Sequence, residues 1–132
     1  MTAQELPIAG DADVVRVRQL VRTAAVAARL SLVDQTKLVT AASELARNTL
    51  THGGGGSATV EQVSSTIKAG VRVVFHDKGP GIPDIALALT DGYTSANGMG
   101  LGLGGAKRLV DTFDIVSSPG EGTTVTVVKW AR

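Results

Sequence analysis

Glu44 and Asn48 lie four positions apart in a stretch with helical periodicity, so their side chains leave the same side of that helix. A carboxylate and a carboxamide oxygen so placed suit a hard cation such as magnesium, and the carboxylate can also accept a hydroxyl proton. Polar neighbours of this kind are common on helix surfaces, so the pair gains meaning only from its surroundings. At ~100° per residue both fall on the shoulder of the apolar stripe formed by Leu38, Ala41, Ala42, Leu45 and Thr49. A shoulder of that sort meets the rim of a pocket between layers. His52 continues the same side but falls at the helix end, where a histidine is favourable anyway, and is read as structural.

Asp77 is the second group with chemical potential. Val71, Val73, Phe75 and Asp77 alternate with the period of a strand, which turns the carboxylate toward the same side as three core residues. An unpaired carboxylate there is costly. Two partners would satisfy it and the sequence leaves both open. One is an exocyclic amino group such as that of adenine; the other is its own backbone in the turn Asp-Lys-Gly-Pro-Gly, residues 77–81. His76 faces the opposite way and is read as structural.

The third feature is the run from Gly98 to Gly105, with glycine at 98, 100, 102, 104 and 105. Bare backbone amides ahead of a helix can surround phosphates. Residues 100–105 also fit the G-x-G-x-x-G pattern, but no strand precedes them and no parallel βαβ unit is available, so a dinucleotide fold is rejected. A Walker A loop fails as well, because Lys107 follows Ala106 and no Ser or Thr comes next. Leu101, Leu103, Ala106 and Leu109 are spaced to anchor the segment by packing, which favours a closing lid over a purely flexible loop.

These groups need positioning elements. Leu6 to Ile8 fits a short edge strand. From Asp11, Val14, Val17, Val21, Ala24 and Ala28 recur at helical spacing, with Asp11 or Asp13 as the cap. Arg16, Arg22 and Arg29 lie outside that stripe and are read as a solvated face rather than a docking surface. Ser31 to Asp34 resembles an acidic capping box opening a second helix over roughly 33–52, which the glycines 53–56 end. Antiparallel strands are expected at 57–65 and 70–77. Pro80 and Pro83 bar regular structure next. A short helix at 84–90, a glycine-rich loop at 91–105, a helix at 105–112 and a hairpin of 113–117 with 123–130 complete the chain. The pattern predicts an α+β two-layer sandwich, with helices on one face of a sheet.

Size and composition bound the reading. The 132 residues correspond to a single domain, 1–132, whose core needs no staple. Cysteine is absent, which excludes thiolate metal sites and disulfides. Thirteen basic against twelve acidic residues create no field for nucleic acid or acidic membranes to follow. Two Phe, one Tyr and one Trp provide too few stacking platforms for single-stranded nucleic acid. The first residues lack a signal-peptide pattern, and no apolar run approaches the ~20 residues that cross a bilayer. A cytoplasmic protein is therefore expected.

Taken together, E-L-A-R-N (44–48), D-K-G-P-G-I-P (77–83), G-M-G-L-G-L (98–103) and G-E-G-T (120–123) resemble the N box, the two glycine boxes and the closing threonine of the GHKL superfamily. That superfamily holds gyrase, heat-shock ATPase chaperones, histidine kinases and MutL. Within it the chain is most similar to the small anti-sigma-factor serine/threonine kinases, the stressosome switch kinases in particular. S-E-L-A-R-N (43–48), G-P-G-I-P-D-I (79–85), D-G-Y-T-S (91–95) and the stretch from Gly120 to Arg132 carry that closer match.

The resemblance implies a Bergerat-type sandwich, with helices on one face of a mixed, largely antiparallel sheet, and an ATP-dependent protein kinase using Mg2+. It implies that Asn48 coordinates magnesium and that Glu44 is the base toward the attacking hydroxyl. Asp77 would accept from the adenine amino group, with Gly79, Gly81 and Ile82 around the base and Gly81 giving it room. Gly98, Met99, Gly100, Leu101, Gly102, Leu103 and Gly104 would form the phosphate lid, and Thr123 would reach adenine through water. Lys78 occupies a variable position and is expected to be solvated. The implied partners are a STAS-domain antagonist, as substrate, and a PP2C-type phosphatase, activated on release, with no nucleic acid and no membrane. A sigma-factor-sequestering protein and a non-catalytic nucleotide-binding adaptor are the alternatives. The chain lacks the acceptor-histidine helix of a complete sensor histidine kinase.

Overall fold

A computed structural model describes residues 3–81, 89 and 102–132. In chain order the elements are β1 (Gln4–Ile8), α1 (Asp11–Ala27), α2 (Leu32–Thr51), β2 (Gly56–Ser64), β3 (Ala69–Asp77), α3 (Gly102–Arg108), β4 (Thr112–Ser118) and β5 (Gly122–Trp130). The strands form one sheet in the order β1-β2-β3-β5-β4, and every pairing among the described residues is antiparallel. Helices α1 and α2 pack over the sheet, and α3 packs on α2. This is the expected two-layer α+β sandwich.

Strand alternation decides what the helices cover. Val71, Val73, Phe75 and Asp77 of β3 stand beside Lys129, Val127, Val125 and Thr123 of β5, pair by pair. Ala58 and Val60 extend the rows on β2. The apolar members are buried against Val14, Val17, Val21, Leu38, Ala41, Ala42 and Leu45 of the helices, as the stripes predict. Truncating a fully enclosed side chain such as Phe75 to alanine would cost about 3–5 kcal/mol. Arg72 and His76, on the other face, are exposed, and His76 Nδ1 lies 2.8 Å from Thr124 Oγ1.

The helix starts follow capping chemistry with two differences. In α1 the N-cap is Gly10, and Asp13 reaches back from inside the helix to accept from the amides of Ala9 (2.8 Å) and Gly10 (3.2 Å). The Ala9 amide leads in holding its carboxyl below the usual carboxylate range. In α2 the Ser31 Oγ accepts from the Asp34 amide at 3.1 Å, as expected, but the Asp34 carboxylate does not complete a capping box. It is buried and lies 3.6 Å from Lys129 Nζ, with Arg132 Nε at 3.5 Å. Lys129, itself buried, also faces Asp111 at 3.7 Å, and Arg132 pairs with Asp111. Two carboxylates and two cations thus neutralise each other at one end of the covered face. Burial opposes ionisation of Asp111, but the Trp130 amide, Lys129 and Arg132 together hold its carboxyl below the ordinary value.

The last helix begins at Gly102, earlier than the expected Gly105, and ends at Arg108 rather than 112. Glycine propensity argues against a helix at 102–105, but Leu103 and Ala106 are buried in the shared core, and this packing outweighs the local preference. The Asp111 amide then donates to the Val128 carbonyl at 2.9 Å and leads the chain into β4. The helix expected at 84–90 lies outside the described residues, except for Leu89.

Candidate functional site

Three backbone turns meet at the end of the sheet opposite the ion cluster. The first is the exit from α2. The amides of His52 and Gly53 both donate to the Asn48 carbonyl, at 2.9 and 3.3 Å. Gly53 then lies directly against the end of β3: a Cβ placed on it would stand 2.3 Å from Asp77 Cγ and 2.6 Å from Oδ2. Glu44 and Asn48 therefore follow one another along α2, and the glycine beside Asp77 comes at its exit. Asn48 stands roughly 7 Å along the helix axis from Gly53, at ~1.5 Å per residue. Glu44 is buried and Asn48 half-buried, matching the predicted helix shoulder. His52 is the exposed C-cap residue, as read from the sequence.

The second turn follows Asp77. This carboxylate is 8 % exposed, and its Oδ1 accepts from the Gly79 amide at 2.9 Å. The self-bonded turn is thus formed. It uses one acceptor position of a group that has about four. Asp77 therefore keeps capacity for a second donor. Gly79 packs on Gly53, whose Cα would lie 2.7 Å from a Cβ at position 79. Lys78 is exposed, as expected.

The third turn is the β4–β5 hairpin. Gly81 and Gly122 have φ of +81° and +84°, and a Cβ would meet the Ser118 carbonyl at 2.2 Å from the first and the Asp77 carbonyl at 2.1 Å from the second. The Gly120 amide donates to the Pro80 carbonyl at 2.7 Å. The first glycine box and the G-E-G-T hairpin are thus locked backbone to backbone. The need for glycine at 81 arises from this contact, independently of any ligand.

Thr123 is the direct cross-strand neighbour of Asp77. Its Oγ1 lies 2.8 Å from Ser117 Oγ, which is 3.1 Å from the Gly122 carbonyl. Ser117 escaped the sequence reading. Its signal was the hairpin register, which sets Ser117 opposite Thr123, but that register could be counted only once both strand ends were known.

The structure therefore brings together Asp77, Gly79, Gly81 and Thr123, and aligns Glu44 and Asn48 along the helix that ends beside them. Gly102, Leu103 and Gly104 open α3, with Leu103 and Gly104 buried. Ile82, Gly98, Met99, Gly100 and Leu101 lie outside the described residues.

The chain matches the model of the histidine kinase-, DNA gyrase B- and HSP90-like ATPases over residues 33–131. It belongs to that family, whose members use ATP. It is 44 % identical, over 120 residues, to the serine/threonine-protein kinase RsbT of Bacillus subtilis (strain 168), covering 91 % of this chain and 90 % of that one. By this relationship it is a protein serine/threonine kinase. Among solved structures it superposes on the RsbU and RsbW domains of a Mycobacterium tuberculosis protein with a TM-score of 0.69 at 21 % identity, covering 100 % of this chain and 33 % of that one. The histidine kinase domain of a blue-light-activated kinase from Erythrobacter litoralis gives 0.51 at 18 % identity, over 94 % and 61 %. These two share the fold.

Proposed function

We propose that this kinase transfers the γ-phosphoryl group of ATP, with magnesium, to a serine or threonine of a STAS-domain antagonist. Once released from that partner, it binds and activates a PP2C-type phosphatase. The observation that carries the ATP site is the convergence of α2, the Asp77 turn and the Thr123 hairpin at one end of the sheet. The similarity to a serine/threonine kinase over most of both chains supports the acceptor type. The stressosome-type resemblance of residues 43–48, 79–85, 91–95 and 120–132 supports the partners.

In this reading the adenine amino group donates to Asp77, and Thr123 reaches the base through water. The phosphates extend along α2 toward Asn48 and Glu44, and segment 98–104 is the lid that the family resemblance implies. Among the described residues no three His, Cys, Asp or Glu side chains group as a metal cage. Magnesium on a nucleotide needs none, because phosphate oxygens and water fill most of its shell and one carboxamide oxygen suffices. When bound there by Asn48, it would neutralise charge on the phosphates. Glu44 accepts the proton of the attacking hydroxyl as the new P–O bond forms and the bond to the β–γ bridging oxygen breaks, leaving ADP.

Transfer of radiolabel from ATP to a STAS protein tests the assignment. Glu44→Ala should lower the transfer rate about 100-fold or more with ATP binding nearly intact, and Asn48→Ala should weaken the magnesium-dependent part of binding. Equal transfer by both variants removes their proposed roles. Capture with STAS, PP2C and sigma-factor baits separates a switch kinase from a sigma-factor sequestering protein. Nucleotide binding without transfer would identify an adaptor.

A further inference from the structure

The end of the molecule away from the proposed nucleotide site is apolar and basic. Four of the six large hydrophobic side chains exposed among the described residues lie there: Val26, Leu32 (71 %), Val33 and Ile67 (83 %). Exposed aliphatics scattered singly are ordinary, but a gathered set marks a contact surface. Their adjacency follows from the elements that carry them. Val26 is near the end of α1, and Leu32 and Val33 open α2, joined through residues 28–31. Asp34, next along, meets Arg132 at 3.5 Å. The amide of Ala131 donates to the Ala69 carbonyl at 2.8 Å, and Ile67 and Lys68 form the hairpin tip just before Ala69.

The exposed charge at this end has one sign. Segments 26–37 and 65–70 contain one carboxylate, Asp34, which is buried and paired with Lys129 and Arg132. Arg29, Lys37 and Lys68 are exposed. The sequence alone reads Arg29 as solvated, but its backbone argues for more. Its φ is +67°, and it is the one non-glycine among the described residues with positive φ. Its amide donates to the Val26 carbonyl and that of Leu30 to the Ala25 carbonyl, both at 3.0 Å, in a helix-ending turn where glycine is the unstrained occupant. Arginine there holds a guanidinium among the aliphatic residues at a conformational cost that folding does not require.

We propose that this end docks the PP2C-type phosphatase, through a partner surface in which carboxylates surround aliphatic side chains. This rests on the partner reading above. Position decides between the two partners named there. Helix α2 has 20 residues, so its start stands about 30 Å from its exit near Asp77, at ~1.5 Å per residue. A substrate must bring its hydroxyl to the γ-phosphate, whereas a partner that is held without being phosphorylated can bind at the far end. The aliphatic residues give the contact a dry centre, and the cations give it a rim that selects acidic partners. An acidic lipid surface fits less well, because segments 26–37 and 65–70 hold no aromatic residue to sit at the headgroup level.

The test titrates the purified cognate phosphatase into the wild type and its variants, beside ATP titration and radiolabel transfer to the STAS protein. Leu32→Glu, Ile67→Glu and Arg29→Glu should each weaken phosphatase binding about tenfold or more, the scale of a central interface residue, with ATP affinity and STAS transfer unchanged. Glutamate suits the first turn of α2, so the first of these keeps the fold. Arg29→Gly relaxes the backbone and should still weaken binding, a loss that unfolding cannot explain. Val116→Glu, at an exposed aliphatic outside this end, should change nothing. Full phosphatase affinity in Leu32→Glu and Ile67→Glu would overturn the proposal. So would intact phosphatase binding in variants that lose STAS transfer, a wild-type dimer or binding to phosphatidylserine vesicles, which would assign the surface to the substrate, a second copy or a membrane. If the wild type transfers phosphate to the STAS protein but binds no phosphatase, the partner reading is wrong and this proposal falls with it, while the ATP site stands.

Discussion

The two ends of the covered sheet face each hold a buried aspartate, and they treat it in opposite ways. Asp34 is 7 % exposed and meets two cations, Lys129 and Arg132, with Asp111 completing a neutral group. Asp77 is 8 % exposed and, among the described residues, is paired with no cation: an amide and a bare glycine are its neighbours, and a threonine stands across the strand. Burial alone therefore does not mark a functional carboxylate. What sets Asp77 apart is burial with acceptor capacity left over, at a place where three glycine-containing turns meet. The neutralised end fixes the start of α2 to the sheet; at the other end Asp77 keeps unused acceptor capacity, where we propose that the nucleotide binds.

The contrast predicts different responses to mutation. The largest is at the ion cluster. Lys129→Met keeps the stem but leaves Asp34 and Asp111 facing Arg132 alone, and should cost about 3 kcal/mol of stability. Urea unfolding measures it, and a change under about 0.5 kcal/mol would erase the distinction drawn between the two ends. At the other end, Gly53→Ala sets a methyl 2.3 Å from the Asp77 carboxyl carbon. It should cost about 1–2 kcal/mol from overpacking and lower ATP affinity about tenfold by displacing the carboxylate. Calorimetric titration with ATP reads the second effect, and unaltered binding would separate Gly53 from the site.

The smallest effect is in acid. The Asp111 carboxyl is held below its ordinary value of 3.8, so its contribution is fully present above that pH and is lost as pH falls through the folded value. Asp111→Asn should be less stable than the parent near neutrality, and the difference should narrow below pH 3.8. A constant difference across that window would place the effect in packing instead of charge.

The same contrast explains what could be read from the chain. Alternation placed Asp77 inward after Val71, Val73 and Phe75, because strand period is a local property. It would also have placed Lys129 inward after Val125 and Val127, on the same rule. What no local rule supplied was its partner: Asp34 is far away in sequence, and the Ser31-x-x-Asp34 spacing offers a complete local explanation as a capping box. The carboxylate instead joins a non-local cluster. Helix α3 shows the reverse. Its glycines argue for a loop until Leu103 and Ala106 find a core to enter. Gly81 is the subtler case. Family resemblance assigns it to the base, but the hairpin carbonyl of Ser118 already demands glycine there.

The most direct measurement is ATP titration of Asp77→Asn beside urea unfolding of the same variant. The amide preserves size and can still accept from Gly79, but it turns a donor toward the adenine amino group. The account predicts at least a roughly tenfold loss of ATP affinity with the unfolding midpoint nearly unchanged. Unimpaired ATP binding in a variant that has lost stability would contradict it, and would make Asp77 a structural carboxylate like Asp34.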